Sequence, residues 1–522
     1  MKILQVVHGF PPESIAGTES YCSALIRCLS ERGYECIVLA GSGRDAPEPT
    51  LAVSEQDGVL VARYQRAAGR PYRWTDEYDA DSERLVRRLL ALVKPDVVHL
   101  HHWLHLTDNL VAICADAGIP AVVTLHDVWT SCPRIHRIRR DGMFCVEPPA
   151  TAPCLTCAER APWQGDGETV RALALRREML ETELVLARAV IVPSEAHRRL
   201  VVTLLNLSED RVTVLPHGTL GTFTGRQDSG GDETFPQRPL QIGHWGYLMH
   251  LKGTHLILEA VHRLRDPSSV QVHLIGPIVE QEYEQRLRAL AQGISVQFHG
   301  AYRPADLHAF DFDLAVFASI ASESYSFALD EALRLGLPVI VSDRGALPER
   351  IVGAGLTFRV GEPDDLAQRL QEILDTPHLL DTMRRNIRPE MFFSMERHVA
   401  MLEKIYEDAA QPTRESTTPY LKLIAHARQQ IQEREGALAD LRARVAQSDR
   451  ISEEREAALQ QAQQALTEQT ARLQQAQQAL TEREAALQQA QQAIASLQGE
   501  LANLRRTPLF KLHAVLTKRS QR

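Results

Sequence analysis

Two glutamates, Glu323 and Glu331, have the setting in this sequence that best supports binding chemistry. They lie in the stretch DLAVFASIASESYSFALDEALRLGLPVIVSD, where an apolar strand ends near Ala318 and a helix begins at Ser326 or Phe327. A helix-capping acid and a surface acid would give the same spacing, so the pair alone is a weak pattern. The strand, the serine-rich loop and the helix around the pair favour a ligand site.

The start of this helix is suited to an anion. Its unsatisfied N–H groups and its dipole favour a diphosphate, and Ser324 and Ser326 are of the residue type that caps helix starts. A carboxylate at Glu331 can accept two hydrogen bonds from vicinal hydroxyls, such as those of a ribose. Glu323, in the loop, would face the sugar side. The segment therefore predicts a site for a diphosphate that carries a ribose.

The elements that position this segment alternate in type along the chain. Apolar strands are predicted at 2–7, 36–39, 97–100, 121–125, 189–192 and 212–215, with helices at 19–32, 81–93 and 106–117. After a polar linker at 221–239, strands follow at 240–243, 270–275, 296–299, 314–317 and 339–342, with helices at 254–264, 281–292 and 327–335. Short apolar strands between helices predict parallel sheets covered on both faces. We expect two Rossmann-like, doubly wound α/β domains, 1–216 and 217–410, that face a cleft.

Composition excludes several classes of function. The 522-residue chain has a formal net charge of −9, which argues against a nucleic-acid partner. No run approaches 18 apolar residues, so no membrane span is predicted. The start, MKILQVVHGF, is typical of a first strand and unlike a signal peptide. We therefore expect a cytoplasmic protein.

Further motifs occur in a fixed order over residues 1–410. They are PPESIAGTES after the first strand, TLHD at 124–127, VIVPSE at 190–195, VLPHG at 214–218, LKG at 251–253 and GLPVIVSDRGALPE at 336–349. Each is weak, but their combination with the spaced glutamates resembles the retaining GT-B glycosyltransferases, particularly glycosyltransferase family 4. The resemblance implies a hexosyltransferase-type enzyme that uses a nucleotide sugar.

The resemblance implies roles at matching positions. Gly17 would let the backbone approach the donor diphosphate, and Lys252 would neutralise a phosphate. His126 would lie at the cleft floor near the reacting carbon. The alternatives are that His126 is a core histidine at a strand end and that Lys252 is a solvated lysine. The implied catalytic residues are His126 and Glu323, and the implied donor-binding residues are Gly17, Tyr247, Lys252, Ser324, Ser326, Phe327 and Glu331.

The implied reaction retains the anomeric configuration through a same-face attack assisted by the leaving phosphate. Lys252 and the helix N–H groups would stabilise the charge that develops on that phosphate. No Asp-x-Asp motif occurs, so no metal cofactor is expected in the chemistry. One position departs from the family: Tyr247 stands where an arginine commonly completes the phosphate clamp. Arg344, His244 or His250 are candidates to compensate.

Four cysteines, Cys132, Cys145, Cys154 and Cys157, fall within a proline-rich loop at 132–157. Four thiols that end in a Cys-x-x-Cys pair suit a structural zinc, whereas free thiols or a redox-dependent disulfide remain the alternatives. The same loop contains PRIHRIRRDG, with Arg134, Arg137, Arg139 and Arg140. Placed just after TLHD, these arginines are predicted to meet an anionic acceptor, such as a lipid diphosphate or an acidic glycan. The alternative is a solvated basic loop.

The chain changes character after residue 412. An apolar residue recurs every seven positions, at Ile424, Ile431, Leu438 and Val445 and again from Leu459 to Leu501, with Ser452 as an interruption. A 14-residue unit, EREAALQQAQQALT, repeats almost verbatim. This pattern predicts a coiled coil at 411–506 through which the chain forms a homodimer or trimer. The alternative is a single solvated helix. The basic, partly apolar tail at 507–522 suits an anionic membrane surface, or is a frayed end of the coil.

These observations lead to one principal hypothesis. The chain is expected to transfer a sugar from a nucleoside diphosphate donor to a glycan or lipid-linked acceptor in surface polysaccharide or glycolipid synthesis, as a peripheral protein at the inner face of a membrane. A catalytically silent module of the same fold, acting as a coiled-coil scaffold, is the alternative, and Tyr247 is its main support. A nucleotide-sugar epimerase fits the fold but not the motif order.

Overall fold

The computed structural model describes residues 1–69, 73–75, 79–160, 164–219, 235–412 and 418–508. The chain divides into two compact units, Met1–Lys422 and Leu423–Arg522. The first unit contains both sheets. The predicted linker at 221–239 and the tail at 507–522 lie largely outside the described residues.

The first sheet has eight strands in the order β3-β4-β2-β1-β5-β6-β7-β8. All neighbours are parallel except β3 and β4, which form an antiparallel edge pair. The strands are β1 (Lys2–Val7), β2 (Glu35–Gly41), β3 (Thr50–Gln56), β4 (Val59–Gln65), β5 (Val97–Leu100), β6 (Ala121–Thr124), β7 (Ala189–Val192) and β8 (Val212–Val214). The strand order changes direction between β1 and β5, which is where ligands bind in open sheets of this kind.

The second sheet has six parallel strands in the order β11-β10-β9-β12-β13-β14. They are β9 (Leu240–Trp245), β10 (Val270–Ile275), β11 (Val296–Gly300), β12 (Leu314–Phe317), β13 (Val339–Ser342) and β14 (Gly355–Phe358). Successive residues of β12 enter different cores: Leu314 and Val316 pack on one face, Ala315 and Phe317 on the other. Burial on both faces explains why this strand is apolar throughout.

Helices cover both sheets. In chain order they are α1 (Gly17–Glu31), α2 (Ala80–Val93), α3 (Leu110–Asp116), α4 (Cys154–Cys157), α5 (Asp166–Leu186), α6 (Glu195–Leu205), α7 (Thr254–Val261), α8 (Gln281–Leu290), α9 (Phe327–Arg334), α10 (Leu347–Ile351), α11 (Pro363–Asp375), α12 (His378–Arg385), α13 (Met395–Ala410) and α14 (Thr418–Arg506). The prediction of two doubly wound domains is confirmed, and the predicted strands match the observed ones within two residues at each end.

Two features differ from the sequence-based expectation. The strands β3, β4 and β14 were not predicted. Most side chains of β3 and β14 are exposed or only partly buried, so these two strands lack the continuous apolar run that marks a buried strand. The helix α13 was placed with the second domain, yet its side chains Val399, Leu402 and Tyr406 are buried in the core of the first sheet. The chain thus returns to the first domain after completing the second.

The long helix α14 contains the predicted heptads. Its described apolar positions from Leu459 to Leu501 are 50–64% exposed, and these are Leu459, Leu466, Leu473, Leu480, Leu487, Ile494 and Leu501. The side chains of the earlier heptad positions, Ile424 to Val445, lie outside the described residues. No helix in the described part of the chain is both long and apolar enough to cross a membrane.

Candidate active site

The loop between β12 and α9 has the geometry that the sequence predicts. The helix begins at Phe327, and the Ser326 hydroxyl accepts a hydrogen bond from the backbone N–H of Leu329 at 3.3 Å. Ser326 has a φ of 77°, in the left-handed region, and Arg350 holds it there by donating to the carbonyls of Ser326 and Tyr325. The same guanidinium forms an ion pair with Asp330. Buried charge and backbone contacts therefore fix the start of α9.

Glu323 is paired with Lys252 across this loop. The Lys252 Nζ lies 2.7 Å from Glu323 Oε1, and the Ser319 hydroxyl donates to the same oxygen at 2.5 Å. Burial would raise the pKa of Glu323, but the Lys252 charge and these hydrogen bonds outweigh it, so the pKa is lowered. The carboxylate is ionised at neutral pH and offsets the lysine charge.

Glu331 lies one turn into α9 and faces a different partner. The Tyr302 hydroxyl, in the loop after β11, donates to Glu331 Oε2 at 3.2 Å. Burial raises the pKa of Glu331 to about 7, although the hydrogen bond from Tyr302 acts in the opposite direction. This carboxylate is therefore half protonated near neutral pH and has a neutral neighbour that a ligand hydroxyl could replace.

Gly17 brings the first domain to this site. It is the first residue of α1, whose N-cap Ala16 makes no side-chain hydrogen bond to the helix. A Cβ added to Gly17 would lie 3.5 Å from the ring of Phe327. The N-termini of α1 and α9 therefore meet at the cleft, and both helix dipoles favour an anion there.

Tyr247 also joins the two domains. It is 41% exposed, and its hydroxyl donates to the Ile15 carbonyl at 3.1 Å, in the loop that precedes α1. Of the two histidines considered as replacements for the missing arginine, His244 is buried and its ring nitrogens contact the Val316 carbonyl and Thr254. His244 is therefore not available to a phosphate.

His126 follows β6 at the cleft, but its ring is only 9% exposed. Its Nε2 lies 3.0 Å from His101 Nδ1 and its Nδ1 lies 3.1 Å from His217 Nε2, while the Ser324 hydroxyl donates to the His126 backbone carbonyl. Burial, followed by the neighbouring His101, holds the pKa of His126 well below its usual range. The ring is thus neutral and engaged with other histidines, and its backbone is the part that contacts the donor-domain loop.

The histidine chain was not predicted. Gln5 Oε1 accepts from His101 Nε2 at 2.8 Å, so a neutral His101 accepts from His126 at Nδ1, and His126 accepts from His217 in the same way. With this Gln5 orientation the three rings are hydrogen-bonded in series while uncharged, and Gln5 Nε2 and His217 Nδ1 at the two ends are buried without a hydrogen-bond partner in the described part of the chain. The signal in the sequence was HLHHW at 99–103, which spans the end of β5 and the residues that follow it.

Acidic groups of the first domain complete the cleft floor. His102 Nε2 lies 3.4 Å from Asp127, and His8 Nε2 lies 3.4 Å from Glu19. The pKa of Asp127 is lowered because His102 and the Trp129 backbone N–H outweigh the effect of burial. His8, His102 and Asp127 follow β1, β5 and β6, whereas Glu19 lies in α1. The TLHD motif was predicted without a role for its aspartate.

The arginines of the loop 132–157 are placed differently from the prediction. Arg137 is 2% exposed and donates to the backbone carbonyls of Ser131, Cys145 and Glu147. This burial is at odds with the predicted contact to an anionic acceptor, because the guanidinium organises the loop itself. Arg134 also donates to carbonyls within the loop, from Ile138 and Cys157.

The predicted contact of Arg139 with an anionic acceptor stays a prediction. It is exposed, and its guanidinium is paired with Asp141 at 2.7 Å. A neighbouring carboxylate reduces the positive charge that the loop presents. The loop is therefore a weaker anion site than the count of its arginines indicates.

The four cysteines of this loop line one small cavity together with Arg137 and Arg176. All four are free thiols, and burial raises the pKa of Cys132. Within the described ranges, no three His, Cys, Asp or Glu side chains stand close enough to hold a metal ion. The structure brings the thiols to one cavity without showing a preformed metal site, so the zinc stays a prediction.

Family models match both domains in order. The model of Glycosyltransferase Family 4 covers residues 15–219, and that of Glycosyl transferases group 1 covers residues 239–376. The glycogen synthase of Mycobacterium tuberculosis is 23% identical over 460 residues, which span 82% of this chain and 99% of that protein.

Solved structures share the fold. Sucrose-phosphate synthase from Thermosynechococcus elongatus superposes with a TM-score of 0.58 at 16% identity, over 78% of this chain and 98% of that one. Anabaena HepE, in complex with UDP and glucose, superposes with a TM-score of 0.52 at 16% identity, over 78% and 99%. Because two family models match in the order that the fold requires, this chain belongs to the GT-B glycosyltransferases of family 4, the glycosyl transferases group 1.

Proposed function

We propose that this glycosyltransferase moves a hexosyl residue from a nucleoside diphosphate sugar to a glycan or lipid-linked acceptor with retention of configuration. One observation carries the donor assignment: two helix N-termini meet at Gly17 and Phe327, next to Glu331 and the Lys252–Glu323 pair. That the HepE structures contain UDP and UDP with glucose supports a nucleotide donor. The match to a glycogen synthase supports a hexosyl group and a glycan acceptor.

The donor would reorganise the ion pair. A β-phosphate that enters between the helix N-termini would compete with Glu323 for Lys252, and the lysine would then stabilise the charge on the leaving phosphate. Glu323, released from Lys252, would accept hydrogen bonds from hydroxyls of the donor sugar. Glu331 would accept from the ribose hydroxyls in place of Tyr302.

The proposed transfer occurs on one face of the sugar. The bond between the anomeric carbon and the phosphate oxygen breaks, the bond to the acceptor oxygen forms on the same face, and the acceptor proton passes to the leaving phosphate. In this route Glu323, which Lys252 and Ser319 hold before the donor enters, binds hydroxyls of the sugar and does not attack the anomeric carbon. Retaining hydrolases instead use two carboxyl groups about 5 Å apart.

Binding and turnover with UDP-, ADP- and GDP-linked hexoses test the donor assignment. We expect the purified protein to bind at least one of these donors. Glu331→Ala should weaken that binding at least tenfold, because it removes at least one charge-assisted hydrogen bond. Glu282→Ala, at an exposed position of α8, is the matched control. If no donor binds, the proposal fails. Proton NMR of the product would distinguish retention from inversion.

The same screen separates the enzyme from a silent scaffold. Tyr247 supplies a hydroxyl but no charge, and that observation favours a module that binds without turning over. Such a module would bind a nucleotide sugar but would not transfer the sugar to any acceptor. Turnover with a glycan primer would exclude it.

We propose that the four cysteines hold a structural zinc. Four thiols on one cavity are the donor set that this metal prefers, although the side chains would have to close on the ion. Metal analysis of protein purified without chelator should show about one zinc per chain, lost in the Cys154→Ser/Cys157→Ser variant and kept in Cys28→Ser. Protein that is free of zinc and fully folded would contradict the proposal.

We propose that α14 joins two or three copies of this chain. Seven of its described apolar positions, from Leu459 to Leu501, recur every seventh residue and are at least half exposed, so a second copy of the same repeat is the partner whose spacing matches. Leu473→Lys should reduce the mass measured by light scattering, whereas Gln475→Lys should not. An unchanged number of chains per assembly after removal of residues 413–522 would refute self-association through this helix.

We further propose that the enzyme works at the cytoplasmic face of a membrane, in surface polysaccharide or glycolipid synthesis. The basic composition of 507–522 supports this setting. Cosedimentation with anionic vesicles should depend on that tail and weaken in high salt. Equal cosedimentation of the protein truncated after residue 506 would contradict it.

A further inference from the structure

The donor site described above is short of positive charge. Lys252 is already offset by Glu323 at 2.7 Å, and Tyr247 supplies no charge where the family commonly has an arginine. His244 is committed to Val316 and Thr254. A nucleoside diphosphate carries more than one negative charge, so a second cation close to the segment 319–323 would strengthen its binding.

Arg344 lies beside that segment. It follows β13, and its Nη1 donates to the Ile320 carbonyl at 3.0 Å. Its neighbours in sequence pack on Glu323: the backbone N–H of Ala346 donates to the Glu323 carbonyl at 2.8 Å, and a Cβ on Gly345 would lie 2.5 Å from the same oxygen. The backbone N–H of Ile320 in turn donates to the carbonyl of Leu251, next to Lys252. Arg344 and Lys252 therefore adjoin the same loop.

The Arg344 guanidinium is half-buried, and burial lowers its pKa, although the adjacent Asp343 acts in the opposite direction. Among the residues that the structure describes, no carboxylate lies within ion-pair distance of it. A partly buried charge whose hydrogen-bond partner is a neutral carbonyl is costly. An anionic ligand at this position would remove that cost.

A side chain from the other domain holds Arg344. The ring centroid of Phe144 lies 5.2 Å from the guanidinium carbon, and Phe144 is 9% exposed. Phe144 belongs to the cysteine-rich insertion, which we define as residues 132–157, and it pairs with Ile138 across a hairpin. A cation over an aromatic face is stabilised by the ring, more so when both are shielded from water.

The insertion makes further contacts across the cleft. A Cβ on Gly142 would lie 2.7 Å from Nε2 of His250, two residues before Lys252. Ile138 packs against the core of the second domain. The hairpin tip therefore reaches the segment of the second domain that contains Lys252.

We propose that Arg344 is the second cation of the donor diphosphate site and that the cysteine-rich insertion positions it through Phe144. The inference rests on the proposed function, because it assumes a nucleoside diphosphate between α1 and α9. In this arrangement the insertion from the first domain completes a site on the second. Arg344 takes the role that Tyr247 cannot perform.

The test measures affinities for UDP, ADP and GDP, and for the matching monophosphates, by titration calorimetry. Arg344→Gln should weaken binding of the preferred diphosphate roughly tenfold to a hundredfold, the range of a charge-assisted hydrogen bond, and should leave the monophosphate almost unchanged. Arg344→Lys should recover part of the loss. Arg303→Gln, at an exposed arginine of the same domain paired with Asp306, is the matched control.

The role of Phe144 is tested through its coupling to Arg344. Phe144→Leu should weaken diphosphate binding several-fold in the native background and have no effect in Arg344→Gln, because it acts through that guanidinium. Additive losses would overturn the positioning role of the insertion. Wild-type affinity in a folded Arg344→Gln variant would overturn the inference as a whole, whereas failure of the native chain to bind any diphosphate would instead refute the proposed function.

Discussion

Replacing Glu331 by glutamine should make the protein more stable at alkaline pH and leave it unchanged in acid. Burial raises the pKa of Glu331 to about 7, from an ordinary value of 4.5. Because the folded state then binds the proton more tightly than the unfolded state, the free energy of unfolding falls as pH rises from 4.5 to about 7. Above that range both states are ionised and the cost of burying the carboxylate is complete.

The size of the effect follows from the shift. A displacement of about 2.5 pKa units corresponds to about 3 kcal/mol, an upper value because the site opens onto a cleft. Glu331→Gln keeps the shape and the contact with Tyr302 but cannot ionise. Its advantage over the native chain should therefore be absent at pH 4.5 and largest above pH 7.

Thermal melting at pH 5 and pH 8.5 measures this difference. We expect the variant to melt several degrees above the native protein at pH 8.5 and close to it at pH 5, given about 2–4 °C per kcal/mol for a domain of this size. Glu282→Gln, at an exposed position, should show no such pH dependence. An equal gap at both pH values would refute the assignment of a raised pKa to Glu331.

Three further changes test the site. Lys252→Ala should weaken nucleoside diphosphate binding at least tenfold, more than Lys252→Arg, because only the alanine variant removes the charge; equal affinities in calorimetry would contradict this. Gly17→Ala should leave the melting temperature nearly unchanged, since the new Cβ meets the Phe327 ring at 3.5 Å, but should hinder the approach of a diphosphate to α1, so unaltered affinity would argue against that contact. Arg137→Met should expose the cysteine-rich insertion to proteases, because three carbonyls lose their donor, whereas Arg140→Met should not; equal cleavage rates would show that Arg137 does not organise the loop.

Local sequence determined the donor loop and most of the sheets. The strand β12 is apolar at all four of its residues, which is why the sequence predicts it. Ser326 marks the start of α9 because its hydroxyl caps the helix locally, at the N–H of Leu329, although Arg350 adds long-range support. The heptads of α14 likewise appear in the sequence because helix periodicity is local. Membership of the glycosyltransferase family followed from the order of such local motifs.

Only the tertiary structure decided which groups meet. The Lys252–Glu323 pair joins residues 71 positions apart, and Tyr302 contacts Glu331 across 29 positions. No periodicity encodes such contacts, which depend on the order of parallel strands in the sheet. Arg137 is a further example: the sequence predicts that its charge binds a ligand, but the path of its own loop buries the side chain. Charge and spacing thus identified the donor segment, whereas burial and long-range packing determined what each charged group can do.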